Sequence, residues 1–229
     1  MPEFTLNGIV LDIPQSHLTA PLEQAFRSGS YEHAEAEALG RHLRPRDRLL
    51  ELGSGAGYLL TIGGLLLQPG AAVGVEASAA TAEIARATVA RNGVTAELLW
   101  GAVVPDDHPG ETATLHVRPS FWASSLGTVP ESGRGRTETV PALRFGALLD
   151  RFRPSVLVLD IEGGELALFD RPLPDPPRLV IMELHPVRYR AAGVRRIFDG
   201  LSASGLAYCP VGSAGRLVVF ERIDRRGAT

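Results

Sequence analysis

Arg48–Tyr58 reads RLLELGSGAGY: an apolar run, an acid within it, then three glycines at alternate positions. A strand that is apolar throughout, rather than alternating, is one covered on both faces. Gly53, Gly55 and Gly57 let the backbone turn tightly and approach a ligand, with a helix N-terminus behind the turn. Strand, glycine turn and helix in that order are the opening unit of an α/β fold.

Outward from this unit the same alternation repeats. Ala72–Ala77 (AVGVEA) and Ala96–Val103 read as the second and third strands. Val156–Glu162 (VLVLDIE) and Leu179–His185 (LVIMELH) read as the fourth and fifth. Leu206–Val211 and Arg216–Ile223 flank Gly212–Gly215, a hairpin signal that makes the last strand antiparallel. Helices are expected over Tyr31–Leu43, after Gly57, over Ser78–Arg91, around Pro141–Phe152, after Gly164 and over Tyr189–Ser204. Ser78 is an N-cap, Asn92–Gly93 a C-cap, and Ala82, Ala85 and Val89 mark the core face between them. The charged residues of Tyr31–Leu43, Glu32 and Glu35 among them, read mostly as a solvated face. The pattern predicts one domain over residues 1–229 with a seven-stranded, mainly parallel, Rossmann-like sheet. Phe4–Ile13 adds an N-terminal hairpin turned at Asn7–Gly8, and Ala113–Val140 an insertion between the third and fourth strands.

Composition narrows the chemistry. All 23 basic residues are Arg, and a chain without Lys has no P-loop lysine, no Schiff-base lysine and no lysine general base. A net charge of −3 with scattered Arg gives no electrostatic footprint for nucleic acid. The lone Cys209 gives no CxxC pattern and reads as inert. Met1–Ala20 lacks the plan of a signal peptide, and the longest apolar run, Tyr58–Leu67, is too short to span a bilayer. A soluble, cytoplasmic protein without stable membrane insertion is expected.

The glycine spacing is GxGxG; a dinucleotide fingerprint needs a third glycine at position 58, which is Tyr58. With Glu51 two residues before it, the spacing is the form that S-adenosylmethionine (SAM) sites use, and Glu51 would face a cationic amino-acid end. Glu76 ends the second strand, 19 residues after Gly57, where a carboxylate accepts ribose hydroxyls, with Ala77 beside it. Gly101 and Ala102 are small enough for a base to lie against backbone. Asp160 and Glu162 emerge from an apolar strand on the edge where open α/β sheets bind ligands. Buried acids are costly unless paired, so packing explains them poorly. Glu183 and His185 close the fifth strand in the same region; His185 reads equally as a base or as a satisfied histidine before Pro186. An Asp, a Glu and a His together can bind a divalent metal, but their spacing is not diagnostic and no metal site is assigned.

These residues resemble the FkbM-type SAM-dependent methyltransferases. The likeness runs through GSYE (Gly29–Glu32), Arg44–Tyr58, VEAS (Val75–Ser78), RNG (Arg91–Gly93), SSL (Ser124–Leu126), VLDIEGGEL (Val158–Leu166) and MELHP (Met182–Pro186). It implies a class I methyltransferase fold and methylation of a hydroxyl on a small molecule or glycan. It implies that Glu51, Gly53, Ser54, Gly55, Glu76, Gly101 and Ala102 line a SAM site, with Glu32 near its amino-acid end. Asp160 and Glu162 would border the transfer centre, with His185 a third candidate base. The family commonly carries Lys two positions before the aspartate; here it is Val158. Two rivals stand beside this reading: a nucleotide-linked Rossmann oxidoreductase, and a methyltransferase-like domain that binds without catalysis. Acceptor choice is expected from the hairpin and the insertion, where Phe121 and Trp122 can stack and Arg134 and Arg136 can meet an anion. Oligomeric state is not legible.

Overall fold

In the computed structural model, residues 1–117, 125–126 and 136–223 are described. The chain begins with the hairpin β1 (Glu3–Leu6) and β2 (Ile9–Asp12), turned at Asn7 and Gly8 with positive φ at both, as the Asn-Gly pair requires. Helices α1 (Ala20–Ser28) and α2 (His33–His42) follow. The repeating core is β3 (Leu49–Leu52), α3 (Tyr58–Leu66), β4 (Ala72–Glu76), α4 (Ala79–Arg91) and β5 (Glu97–Trp100). A side sheet comes next: β6 (Ala102–Val104), β7 (Thr112–Val117), β8 (Ser125–Leu126) and β9 (Arg136–Arg144). The chain then returns through α5 (Phe145–Phe152), β10 (Val156–Leu159), α6 (Glu165–Leu168), β11 (Leu179–Glu183) and α7 (Pro186–Ala203), and ends with β12 (Leu206–Ala214) and β13 (Leu217–Arg222).

The main sheet has seven strands in the order β12-β13-β11-β10-β3-β4-β5. β13 runs antiparallel to both neighbours, and the other described pairings are parallel. From β3 the chain winds one way to β4 and β5, then returns on the other side through β10 and β11. The switch lies between β3 and β10, where such sheets bind ligands. Alternate residues of each strand feed two cores. Leu49, Val156, Val158 and Ile181 pack under the hairpin, α2, α3 and α4, while Leu50, Leu52, Leu157 and Met182 pack under α5, α6 and α7. This double cover is why the strands read as unbroken apolar runs.

Four local readings need correction. The expected third strand, Ala96–Val103, breaks at Gly101, so that β5 stays in the main sheet and β6 pairs with β9 in the side sheet. The helix expected from Pro141 begins only at Phe145, because Pro141–Arg144 continue β9 against β6 and β7. Helix α7 starts at Pro186 and is interrupted at Arg190, where φ is 56°. The hairpin expected to choose the acceptor is packed instead: Phe4, Leu6, Ile9 and Leu11 are buried, and the Asn92 side chain bonds both the N–H and the C=O of Val10. Its Asn7 amide donates to the Tyr58 hydroxyl at 2.7 Å, so the hairpin braces the start of α3. Among the described residues no helix is long and apolar enough to cross a membrane.

Candidate active site

Two adjoining clefts open over the switch between β3 and β10. The first, about 660 Å³, is lined by Gly53 and Gly55, by Glu76 and Ala77, by Gly101 and Ala102, and by Tyr31, Glu32, Asp160 and Glu162. The second, about 1150 Å³, shares Tyr31, Glu32, Asp160 and Glu162 and continues to Glu35, Glu183, His185 and Arg216. The shared residues are the junction of the two.

The glycine loop is tied to the neighbouring strand, because the N–H groups of Gly53 and Ser54 both donate to the Val75 carbonyl. At Gly53 φ is 86°, and a Cβ there would lie 1.9 Å from the Asp160 carbonyl oxygen. Only glycine lets the loop close this tightly on the end of β10. Gly57 plays a different part from that expected. A Cβ there would meet Ala85 at 2.9 Å, so this glycine sets α3 against α4 and lies behind the cleft. Glu51 and Ser54 are also buried behind the loop, not on the wall.

Glu76 projects from the end of β4 with both oxygens held. Oε2 accepts from the Gly55 N–H at 3.0 Å and Oε1 from the Ser78 N–H at 2.8 Å. Burial still pushes its carboxyl up to about 7, against those hydrogen bonds. A carboxylate offers about four lone-pair directions, so with the Ala77 N–H also bearing on it there is still room for a ligand donor. Glu51 is pushed further, to about 8, by burial with Glu76 adding to it, offset in part by the Ser54 hydroxyl; its Oε2 has no hydrogen-bond partner.

Tyr31 and Glu32 reach the junction from the loop before α2. The Tyr31 oxygen accepts from the Ala56 N–H at 3.4 Å. Glu32 sits at φ 47°, a left-handed conformation for a residue with a side chain, and its Oε2 is buried without a partner. Burial and then Glu51 raise its carboxyl well above the ordinary range. Glu162, at φ 52°, is the second acid of the junction in that region. Such outliers cost about 1–3 kcal/mol each and cluster at functional sites. GSYE placed Glu32 at the cofactor's amino-acid end, but reading the rest of α2 as a solvated face missed Glu35, which lines the second cleft.

In the second cleft, His185 gathers the acids. Its Nδ1 is 3.1 Å from Oε1 of Glu165, a residue with no exposed surface. Its Nε2 faces Asp160 Oδ1 at 3.4 Å, Glu162 Oε2 at 3.8 Å and Glu183 Oε2 at 4.0 Å. Glu165 Oε1 also accepts from the Ile161 and Gly163 N–H groups, and the Tyr189 hydroxyl accepts from the His185 N–H. Burial disfavours the charged imidazole, but the Glu165 hydrogen bond and the surrounding carboxylates outweigh it and push His185 up to about 9. Burial and Glu183 hold the Asp160 carboxyl well above its ordinary value. This end of the sheet concentrates negative charge and holds protons tightly. Glu165, visible in sequence only as the end of DIEGGE, turns out to orient the ring.

Val158 lies away from both clefts. Its side chain is buried in the core under α3, and its register partner on β3 is Glu51. Valine there removes no group from the cleft walls. Arg136, expected as an anion contact, pairs with Glu138 at 2.6 Å. Phe121, Trp122 and Arg134 lie outside the described residues.

Comparison with known proteins settles the class. The model of the methyltransferase FkbM domain matches residues 65–206. The chain belongs to this family. An FkbM-domain methyltransferase draws on SAM, and that assignment removes the oxidoreductase rival. A second model, protein-L-isoaspartate (D-aspartate) O-methyltransferase, matches residues 14–107. The chain is 38% identical over 81 residues to the ribosomal protein L11 methyltransferase of Thermus thermophilus, a match covering 34% of this chain and 31% of that protein. Among solved structures, the O-methyltransferase of Bacillus cereus in complex with S-adenosylhomocysteine is 16% identical, with 91% of this chain and 84% of that one covered at a TM-score of 0.48. The O-methyltransferase TomG of Streptomyces achromogenes is also 16% identical, covering 93% and 92% at 0.47.

Proposed function

We propose that this FkbM-domain protein methylates a hydroxyl of a small molecule or glycan, binding SAM in the first cleft and the acceptor in the second. The observation that carries the reading is the junction, where Asp160 and Glu162 line both clefts at once. A group held in either cleft meets the same two carboxylates.

The residues of the first cleft fit the cofactor. Glu76 lines the cleft with acceptor capacity left for ribose hydroxyls, and Gly101–Ala102 leave backbone for the base to lie on. Glu32 Oε2 is a buried acceptor without a partner, suited to an ammonium. When bound, SAM supplies an electrophilic methyl on a sulfonium. The chain's part is to align the acceptor oxygen with that methyl and remove its proton. The hydroxyl proton would pass to the carboxylate–imidazole cluster of Asp160, Glu162 and His185. S-adenosylhomocysteine leaves from the first cleft.

The second cleft also disfavours anionic acceptors. It presents Glu32, Glu35, Asp160, Glu162 and Glu183, while its Arg216 is already paired with Glu183 at 2.7 Å. An isotope-transfer assay with methyl-labelled SAM tests the reading across neutral, cationic and anionic hydroxylated acceptors. Label is expected in neutral or cationic acceptors, with S-adenosylhomocysteine released in equal amount. Transfer to carboxylated acceptors alone, or none to any hydroxyl, would contradict it.

A further inference from the structure

We propose that Asp160, Glu183 and His185 bind a divalent transition-metal ion that holds and polarises the acceptor hydroxyl. The inference rests on the reading of the second cleft as the acceptor site and goes against the sequence expectation of no metal. Three atoms carry it: Asp160 Oδ1, Glu183 Oε2 and His185 Nε2, which lie within 4.8 Å of one another.

Among the described residues, none of these atoms makes a hydrogen bond to the rest of the protein; His185 Nε2 faces Asp160 Oδ1 at 3.4 Å and Glu183 Oε2 at 4.0 Å, and a bound ion would take the place of the Nε2 proton between them. Glu183 uses its other oxygen, Oε1, for Arg216 at 2.7 Å. His185 uses its other nitrogen, Nδ1, for Glu165. Asp160 Oδ1 is buried and has no hydrogen-bond partner. His185 is only 6% exposed, yet its Nε2 makes no hydrogen bond and points among three carboxylates. A buried carboxylate holding the far nitrogen of an imidazole is the usual support of a metal-ligating histidine, since it fixes the tautomer and the ring plane.

A second cluster in the molecule serves as contrast. His42, Cys209 and Glu221 also converge, but there Nδ1 meets Glu221 at 3.1 Å and Nε2 meets the Val211 carbonyl at 3.0 Å. Both His42 nitrogens are occupied by the protein, so that group is a structural clasp. His185 keeps one nitrogen open.

Two carboxylates and an imidazole suit Mn²⁺, Fe²⁺ or Zn²⁺ better than Mg²⁺ or Ca²⁺, which prefer oxygen alone. Three protein ligands on one side leave coordination positions toward the cleft. There the ion acts as a Lewis acid on the acceptor hydroxyl. The O–H bond breaks and its proton goes to Glu162, the acid of the cluster outside the ligand set, or to water. The C–O bond then forms as the C–S bond breaks, and the ion is unchanged.

The test is titration of the full chain with Mn²⁺ followed by electron paramagnetic resonance, with Zn²⁺ and Mg²⁺ as competitors. Binding of S-adenosylhomocysteine is measured by calorimetry in parallel. One Mn²⁺ per chain is expected, displaced by Zn²⁺ and poorly by Mg²⁺. Asp160→Asn and Glu183→Gln should each weaken it by roughly 100-fold, and Glu165→Gln by about tenfold. Cys209→Ser should change nothing. Glu183→Gln should still bind S-adenosylhomocysteine, which shows that the variant is folded. A wild-type chain that binds S-adenosylhomocysteine but not Mn²⁺, or Mn²⁺ binding retained in both ligand variants, would overturn the metal site and leave the methyl-transfer reading standing. Failure to bind S-adenosylhomocysteine would instead strike at that reading.

Discussion

Buried acids sit at both ends of the central sheet, and the protein treats them in opposite ways. At the N-terminal end of the strands, Asp47 accepts from Nε of Arg178 at 2.8 Å, from the Ser155 hydroxyl at 2.7 Å and from the Arg44 N–H at 2.7 Å. Burial alone would raise its carboxyl, but these donors outweigh it and hold Asp47 below its ordinary value. At the C-terminal end, Glu32 and Asp160 each keep an oxygen without a partner, and both carboxyls are raised. One end has spent its donors on closing the fold, tying the starts of β3, β10 and β11 together. The other has left acceptors exposed to two clefts. An acid satisfied by the protein is structural; one left unsatisfied at a ligand-binding edge is there for something that arrives.

The difference can be broken most forcefully at the closed end. Asp47→Ala strands the Arg178 guanidinium in a buried site and should cost about 3–5 kcal/mol of stability. Urea unfolding should register that loss, while S-adenosylhomocysteine affinity, measured where the variant is folded, stays at the wild-type value. Glu76→Ala reverses the pattern. It removes the acceptor for the ribose hydroxyls and should lower S-adenosylhomocysteine affinity by about 100-fold, with a smaller loss of stability than in Asp47→Ala, from the Gly55 and Ser78 N–H groups it leaves unpaired. If either variant shows the other's signature, the division between the two ends is wrong.

A smaller effect separates the two ends by pH. Asp47 has a folded pKa below its unfolded one, so its stabilisation is present at neutral pH and lost as pH falls through the folded value. Glu51 and Glu76 have folded values near 8 and 7, above the ordinary 4.5. Their contribution is full below that ordinary value and is lost as pH rises through about 7–8. The melting temperature of the ligand-free protein should therefore fall on both sides of weakly acidic pH. Glu51→Gln should flatten the alkaline limb, and Asp47→Asn the acidic one. The smallest effect on turnover is expected from Val158→Lys, although a lysine at this buried position lowers stability. The new ammonium lies beside Glu51 in the core, so the alkaline limb shrinks and turnover is unchanged. A large gain in turnover would mean that a lysine there reaches the cleft.

How far the sequence could be read follows the same division. The glycine loop, Glu76 and the Asp160–Glu165 motif were legible because each is local: a few consecutive residues at a strand end declare their own geometry. The hairpin and the cap of α4 were legible because Asn7–Gly8 and Ser78 act on their immediate neighbours. Ala96–Val103 misled, because its apolar residues run on past Gly101 into a different sheet and periodicity carries no sign of the partner. Glu35 read as solvated, because its exposure depends on where α2 packs, not on its own spacing; Glu32 was reached only through the GSYE resemblance. Glu51 read as a ligand contact, yet its side chain turns beneath the loop into the core that also holds Val158. The asymmetry between Asp47 and Asp160 was the least legible feature. It depends on Arg178 and Ser155, more than 100 positions away from Asp47.

The central claim is that the open end of the sheet is a SAM methyl-transfer site, and calorimetric titration with S-adenosylhomocysteine tests it most directly. The wild-type chain should bind one molecule, with affinity rising as pH increases through about 7 and Glu76 ionises, and NAD should give no heat of binding. Saturable NAD binding without S-adenosylhomocysteine binding, or an unchanged affinity in Glu76→Ala, would contradict it.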